Sequence, residues 1–300
     1  MNIIFRILLV FHLVFLACQA QPEPALYFLS DCQQPLLGER LIRKIWRNEE
    51  GRDSIFAGIV RSHPNYLFLL GDLTGAGSKT KKWQSLDSFI TILRSDECKV
   101  FAIPGNHEYM FKARKGIRNF KIRFGEQQTL GYCIKRENFA VVMLNSNFKR
   151  MSESDTSKEL GWYRFVMDSL DRDPSIKSII VSTHHPPFTN SKVVKPSKEV
   201  DHLFINRFDQ SPKAKLFLSG HSHNLEYFRS SSNKKYLVIG GGGGPAQPLF
   251  TDKKCLFNDL LTQDSKPIYF FVKVIINGDS VEEKVFGLNR EFKWVVLSIP

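Results

Sequence analysis

Five short polar clusters are spread along this chain, and an apolar run of three to five residues precedes each of them. Apolar runs of this length, bounded by turn residues, are typical of buried strands. Because the strands of an open α/β sheet gather ligands at their carboxyl ends, we expect the clusters to meet at one place. The clusters are, in chain order, Asp31-Cys32-Gln33, Gly71-Asp72, Gly105-Asn106-His107-Glu108, His184-His185-Pro186 and Gly220-His221-Ser222-His223.

Strand and helix patterns alternate in the first two thirds of the chain, and strand patterns dominate the last third. Further strands are predicted at 140–144 and 236–239, and helical periods at 36–48, 83–93 and 161–170. The tail predicts a hairpin, 268–276 and 281–288 around Asn277-Gly278, and a strand at 293–299. The polar stretches 150–158 and 190–198 are predicted to be surface loops. We therefore expect one α/β domain over 25–300, in which two sheets pack face to face with helices outside.

The first 20 residues are predicted to be an export signal. One arginine precedes an apolar stretch, and small residues follow at Cys18 and Ala20. Cleavage after Ala20 would leave a soluble protein, whereas cleavage before Cys18, in a loose lipoprotein pattern, would leave a lipid-anchored one. Retention as a membrane anchor is disfavoured, because Arg6 and His12 interrupt the stretch. The expected location is therefore periplasmic, secreted or on the outer surface.

The chain carries a formal net charge of +12, which suits an anionic partner or substrate. Residues 112–123 hold six cations and no acid, and are either a solvated face or a positive rim near the Asn106-His107 cluster. Four cysteines follow the signal. Export permits disulfides between them, but we favour buried thiols at Cys98 and Cys133, since no spacing favours a pairing.

The polar clusters combine the side chains that bind divalent cations. Asp72 offers a carboxylate at the end of an apolar run, and Asn106 offers an amide oxygen beside the imidazole of His107. His221 and His223 lie two residues apart on a tight loop, so they could reach different cations. Each motif alone has an ordinary structural explanation as a turn, but their combination favours a metal site.

These motifs resemble those of the calcineurin-like metallophosphoesterases, over about residues 25–244. The family pattern is Asp-x-His, Gly-Asp, Gly-Asn-His-Asp/Glu, His and Gly-His-x-His, and the run 240–244 resembles a glycine-rich segment common in such chains. The resemblance implies a four-layer αββα sandwich, with two mixed β-sheets flanked by helices and a dinuclear centre at the sheet ends. It assigns one metal to Asp31, Gln33, Asp72 and His223, and the other to Asp72, Asn106, His184 and His221.

The expected activity is metal-dependent hydrolysis of a phosphate ester or pyrophosphate. Two cations about 3.5–4 Å apart can clamp the attacking and leaving oxygens, and a hydroxide shared between them is a nucleophile near neutral pH. Asp72 suits the bridging position because a carboxylate has two oxygens. His107 is adjacent to a ligand but not needed for coordination, so we predict that it is the general acid.

Gln33 departs from the family pattern, which has histidine at this position. If the amide oxygen of Gln33 is a ligand, it favours an oxygen-preferring cation such as Mn²⁺, with Mg²⁺, Fe²⁺ or Zn²⁺ as alternatives. A smaller branch, similar to manganese-dependent ADP-ribose and CDP-alcohol diphosphatases, has Asp-x-Gln here. Alternatively, the first metal position is weakened and activity is low or lost. We favour the ligand interpretation because the other motifs are intact.

Three functions remain in competition. The favoured one is an exported phosphoesterase acting on a small anionic ester, with no protein partner inferred and membrane contact only through a lipid anchor at Cys18. A nuclease is disfavoured, because no basic stretch is interleaved with aromatic residues. A non-catalytic binding protein is disfavoured by the intact His107. Tyr109, Asn145 and Phe188 lie in loops that could contact substrate, but structural roles are favoured for each.

Overall fold

Two six-stranded β-sheets form the centre of the molecule. The computed structural model describes residues 25–36, 39, 47–125, 129–262 and 266–300. The first sheet has the order β12-β11-β10-β1-β2-β3, and the second has the order β4-β5-β6-β7-β9-β8. The strands are β1 (Ala25–Leu29), β2 (Tyr66–Leu69), β3 (Lys99–Ala102), β4 (Tyr132–Lys135), β5 (Phe139–Met143), β6 (Ser178–Ser182), β7 (Ala214–Ser219), β8 (Leu225–Arg229), β9 (Lys235–Ile239), β10 (Tyr269–Asn277), β11 (Ser280–Leu288) and β12 (Trp294–Ser298).

Parallel strands occupy the middle of both sheets. In the first sheet β1, β2 and β3 are parallel, with Phe28 opposite Phe68 and Phe68 opposite Phe101. In the second sheet β5, β6, β7 and β9 are parallel. Antiparallel strands complete the sheets: β10, β11 and β12 in the first, and β4 and β8 in the second. The parallel strands of each sheet therefore all end at the same edge.

Helices cover the outer face of each sheet. In α2 the buried residues Leu86, Phe89, Ile90 and Leu93 recur three or four positions apart, which gives the helix one apolar face. The helices are α1 (Asn48–Arg61), α2 (Gln84–Ser95) and α3 (Ala113–Phe124) on the first sheet, and α4 (Glu153–Arg172) with the consecutive segments Lys198–Val200, Asp201–Ile205 and Asn206–Gln210 on the second. Short 3₁₀ turns are Thr80–Trp83, Asn106–Tyr109, Phe148–Arg150 and Asp252–Lys254.

An apolar layer between the sheets holds them together. Phe28 of β1 stacks on Phe68 of β2 with ring centroids 4.8 Å apart, and both side chains are fully buried. Val141, Ile180 and Leu216 line the same core from the second sheet. Burying a side chain of this size contributes about 1.5–3 kcal/mol, so this layer fixes how the two sheets face each other. The α/β sandwich of two mixed sheets flanked by helices is confirmed.

Several local predictions need correction. The stretch 150–158 is not a loop throughout, because α4 begins at Glu153, where the Ser152 hydroxyl accepts a hydrogen bond from Asp155 N–H. Helix α1 was not predicted, since Gly51 and Gly58 disfavour a helix. Both glycines let α1 approach the sheet: a Cβ at Gly51 would lie 2.3 Å from the Tyr269 ring, and one at Gly58 2.5 Å from Trp294. The short strands β4 and β8 were also not predicted.

Other predictions lie outside the described residues. The predicted export signal, residues 1–20, is among them, and so is most of the helix predicted at 36–48. Within the described part of the chain, no helix is both long enough and apolar enough to cross a membrane. The four cysteines described there are free thiols, of which Cys98 is buried, Cys133 partly buried and Cys255 exposed.

Candidate metal centre

Five of the parallel strands, β1, β2, β3, β6 and β7, lead into the loops that carry the polar clusters. Asp31 and Gln33 follow β1, Asp72 follows β2, and Asn106 and His107 follow β3. From the second sheet, the loops after β6 and β7 bring the remaining histidines to the same place. Those histidines are His184, His185, His221 and His223.

One group of candidate ligands contains Asp31, Asp72 and His223. One ligand atom from each lies within 4.8 Å of the other two, and all three side chains are buried. The shortest of their ion-pair distances is 3.4 Å, between His223 Nε2 and Asp31 Oδ1. Two carboxylates and an imidazole converging at this distance form a donor set suited to a divalent cation.

Gln33 lies in this group, with its side chain fully buried. Its amide nitrogen is 3.0 Å from His223 Nε2. A rotation of the Gln33 carboxamide by about 180° would exchange its oxygen and nitrogen. The oxygen would then occupy the position of the nitrogen, next to His223. The side chain that departs from the family pattern therefore points into the cluster and not into solvent.

A second group contains His184, His185 and His221, whose nitrogen atoms lie within 4.8 Å of one another. His184 Nε2 is 3.2 Å from Asn106 Oδ1 and 3.4 Å from Asp72 Oδ2. Asp72 thus belongs to the first group and also contacts the second, which is the geometry expected of a bridging carboxylate.

Hydrogen bonds on the outer side orient two of the imidazoles. His184 Nδ1 lies 2.9 Å from the Leu70 carbonyl oxygen, and His223 Nδ1 lies 2.8 Å from that of Pro245. A carbonyl can only accept, so each Nδ1 carries its proton, and each Nε2 faces a carboxylate at 3.4 Å. This arrangement is typical of histidines that bind metal, and the donor set fits divalent cations.

The backbone at three site residues is in the left-handed region. The φ angles are 58° at Asp31, 50° at Asp72 and 66° at His221. Non-glycine residues rarely adopt such angles, which cost about 1–3 kcal/mol each. At Asp31 the strained turn is held by a bond from its own N–H to the Gly71 carbonyl and by a bond from His221 N–H to its Oδ2, at 3.1 Å and 2.8 Å. Strain retained in this way indicates a functional site.

Glu108 holds two of these loops together. Its buried carboxylate accepts hydrogen bonds from the backbone N–H groups of Asp72, Leu73 and Gly105, at 2.9, 2.9 and 2.7 Å. Asp72 is also fixed by His107 N–H, which donates to its Oδ1 at 2.7 Å. Gly105 leaves room for this contact, since a Cβ there would lie 2.3 Å from Asp72 Oδ1.

His107 lies at the edge of the centre. Its Nδ1 is 3.1 Å from the Gly75 carbonyl oxygen, so the Nδ1 proton is held there. Its Nε2 faces Asp72 Oδ2 at 3.8 Å, and the residue is 7% exposed. The nitrogen that could exchange a proton with a substrate is thus directed to the centre.

Electrostatic interactions in the cluster favour an anionic Asp72 and neutral imidazoles at His185 and His221. Burial opposes ionisation of Asp72, yet His184, His107 and His221 hold the pKa of this carboxyl well below its usual range. Burial and the charge of His184 lower the pKa of His185 to about 3, and the pKa of His221 is lowered for similar reasons. Burial disfavours charge on His184 too, but Asp72 raises its pKa to about 9. A divalent cation bound here would replace the proton that Asp72 stabilises on His184.

Three sets of supporting contacts were not predicted from the sequence. His185 joins the second histidine group, and its Nδ1 lies 2.9 Å from Ser146 Oγ. Buried Glu226 of β8 accepts hydrogen bonds from Thr189 Oγ1 and, at 2.7 Å, from Asn190 N–H. The glycine run packs on the site, with Gly244 N–H donating to the Asp31 carbonyl at 2.7 Å. The only sequence feature that pointed to a role for His185 was its position next to His184. No sequence feature pointed to a role for Glu226.

A cavity of about 390 Å³ adjoins the second histidine group. Asn106, His185 and His221 form one wall, and the loops after β5 and around Lys195 form the others. Of the loop residues considered above, Asn145 donates to Tyr109 Oη at 3.0 Å, and Phe188 packs on Tyr236 with centroids 5.0 Å apart. These contacts are structural.

Comparison with known proteins shows the family of this chain. The family model for calcineurin-like phosphoesterases matches residues 26–225. The chain belongs to the calcineurin-like phosphoesterase family. The family match and the candidate ligands support a dimetal hydrolase, as predicted from the motifs. No curated protein sequence matches this chain at a significant level.

Solved structures share the fold at low sequence identity. A purple acid phosphatase, PPD1, from yellow lupin (Lupinus luteus) seeds aligns with a TM-score of 0.63 and 13% identity, over 93% of this chain and 54% of that one. A dimetal phosphatase from Danio rerio aligns with a TM-score of 0.59 and 14% identity, over 93% of this chain and 100% of that one. GAP50, the anchor in the inner membrane complex of Plasmodium, aligns with a TM-score of 0.64 and 12% identity, over 93% of this chain and 89% of that one. This chain thus spans about half of the lupin phosphatase.

Replacing Glu108 by glutamine tests its role in positioning Asp72. Glutamine has one acceptor oxygen, and its NH₂ group would face backbone N–H donors. We expect the affinity for Mn²⁺ to fall roughly 10–100-fold in calorimetric titration, as for other residues that orient metal ligands. Exposed Glu137→Gln is the matched control. Unchanged Mn²⁺ affinity in a folded Glu108→Gln protein would contradict the role.

Proposed function

We propose that this protein is an exported, divalent-metal-dependent phosphoesterase that hydrolyses a small anionic phosphate ester. The observation that carries the proposal is the convergence of buried Asp31, Asp72 and His223 beside the histidine group of His184, His185 and His221. The intact His107 favours an enzyme over a binding protein of the same fold. Export rests on the sequence of residues 1–20 alone.

The proposed ligands divide into two sets that share Asp72. Asp31, Gln33 and His223 would complete the first, and Asn106, His184 and His221 the second. Cations held there would neutralise the phosphoryl oxygens and supply a nucleophile near neutral pH. Mn²⁺ is the preferred candidate, because four of the seven side chains coordinate through oxygen and the first set contains only one histidine.

His107 is proposed to deliver a proton to the leaving oxygen through Nε2. The Gly75 carbonyl holds the Nδ1 proton and orients the ring. The 3.8 Å between Nε2 and Asp72 Oδ2 brings this nitrogen close to the proposed bridging ligand. Protonation of the leaving group by a positioned side chain is worth about 10²–10⁴ in rate.

The primary test is metal dependence of hydrolysis. Activity on p-nitrophenyl phosphate, its bis-ester and a nucleoside diphosphate ester should disappear on chelation and return with Mn²⁺. Asp72→Ala should remain inactive with every cation, because the carboxylate shared by both ligand sets is gone. If wild type and Asp72→Ala are equally inactive on all three substrates, a binding function replaces the enzyme; plasmid nicking would identify a nuclease.

Truncation of His107 should matter most for poor leaving groups. A nitrophenolate departs without a proton, whereas an alkoxide does not. We therefore expect His107→Ala to lower kcat about 100-fold on an alkyl phosphate and much less on p-nitrophenyl phosphate. Exposed His202→Ala serves as the control. Equal losses on both substrates would argue against a general acid.

Gln33→His should change which metal is preferred. The amide lies 3.0 Å from His223 Nε2, and an imidazole here would add a nitrogen donor that suits Zn²⁺ better than Mn²⁺. After chelation and reloading, the ratio of activity with Zn²⁺ to activity with Mn²⁺ should rise, with activity retained. Exposed Gln84→His is the control. An unchanged ratio would mean that Gln33 does not contact the metal.

A further inference from the structure

The cavity beside the second histidine group is bordered by three basic side chains. Lys149 and Arg150 come from the 3₁₀ turn after β5, and Lys195 from the loop after β6. The candidate ligands Asn106 and His221 line the same cavity. A substrate bound at the centre would therefore extend toward these cations.

The three cations are available to a ligand. All are exposed, and within the described part of the chain none of them forms an ion pair. The one carboxylate in the lining, Glu199, is 3.4 Å from Ser197 Oγ. Long flexible cations held near one another without acidic partners repel, so their placement around one cavity indicates an anionic occupant.

We propose that Lys149, Arg150 and Lys195 form a subsite for a second phosphoryl group, one that is bound but not cleaved. This inference rests on the proposed function. The preferred substrate is then a small phosphoester that carries a further phosphate on its leaving portion. Selectivity arises from the basic side chains, while the chemistry stays at the cluster of carboxylates and imidazoles.

Three features favour a phosphoryl group over a carboxylate. A phosphate monoester presents three acceptor oxygens and up to two negative charges, which three cations can match, whereas a carboxylate presents two oxygens and one charge. The guanidinium of Arg150 can bind two phosphate oxygens at once. A volume of about 390 Å³ also exceeds what a single cleaved phosphoryl group fills.

The test compares alkanediol monophosphates of three to six carbons with the matching bisphosphates and ω-carboxylates, using Mn²⁺-loaded protein. At least one bisphosphate should show kcat/KM about tenfold above its monophosphate and above its carboxylate. Lys149→Ala, Arg150→Ala and Lys195→Ala should each reduce this advantage through KM, with monophosphate hydrolysis unchanged. Lys198→Ala, which removes an exposed charge just outside the cavity, should have no effect.

Binding provides a readout that does not depend on hydrolysis. In an Asp72→Asn background, calorimetric titration should show the bisphosphate binding about tenfold tighter than the monophosphate, and Lys149→Ala should abolish the difference. Equal affinities for bisphosphate and monophosphate would overturn the subsite even if phosphatase activity is present. A preference for the bisphosphate that survives the substitutions at Lys149, Arg150 and Lys195 would overturn it too. An advantage shared by the ω-carboxylate would overturn the phosphoryl assignment. If the wild-type protein hydrolyses none of these esters but the bisphosphate still binds selectively, the proposed function is rejected and the subsite is retained.

Discussion

Parallel pairing of strands in two facing sheets is the constraint on which the rest of the molecule depends. Parallel strands must all end at the same edge, and apolar packing between Phe28, Phe68 and their partners in the second sheet fixes the two edges side by side. Loops that are far apart in sequence thereby meet: the contact between Gln33 and His223 joins positions separated by 190 residues. No single loop could assemble such a donor set.

Two kinds of hydrogen bond then fix the side chains and the loops of the site. Backbone carbonyls hold the outer nitrogens of His184 and His223, and the carboxylate of Glu108 holds the backbone N–H groups of Asp72 and Gly105. The first kind orients ligands, and the second fixes the loops that carry them. Left-handed backbone at Asp31, Asp72 and His221 is held by hydrogen bonds between the loops, among them His221 N–H to Asp31 Oδ2 and Asp72 N–H to Glu108.

The sequence predicted the parts of this structure that depend on local pattern. Apolar runs located most strands, and the polar clusters located every candidate ligand. It could not predict α1, where Gly51 and Gly58 lower helix propensity but permit close packing on Tyr269 and Trp294. This helix is stabilised by tertiary contacts, which cannot be predicted from a local sequence pattern. The roles of Glu108 and Glu226 were hidden for the same reason, since a buried carboxylate is identified only by the N–H or O–H groups that surround it.

The outer bonds of His184 and His223 have a consequence for how cations would bind at the proposed centre. Because these imidazoles are oriented by the carbonyls of Leu70 and Pro245, binding a cation would require no folding of the surrounding chain. Small zinc domains, by contrast, fold only when the metal binds. A centre oriented by the fold in this way would exchange its ions while the protein stays folded, so its occupancy would follow the free concentrations of metals around it. The metal found in a given preparation would then record the medium from which the protein was taken.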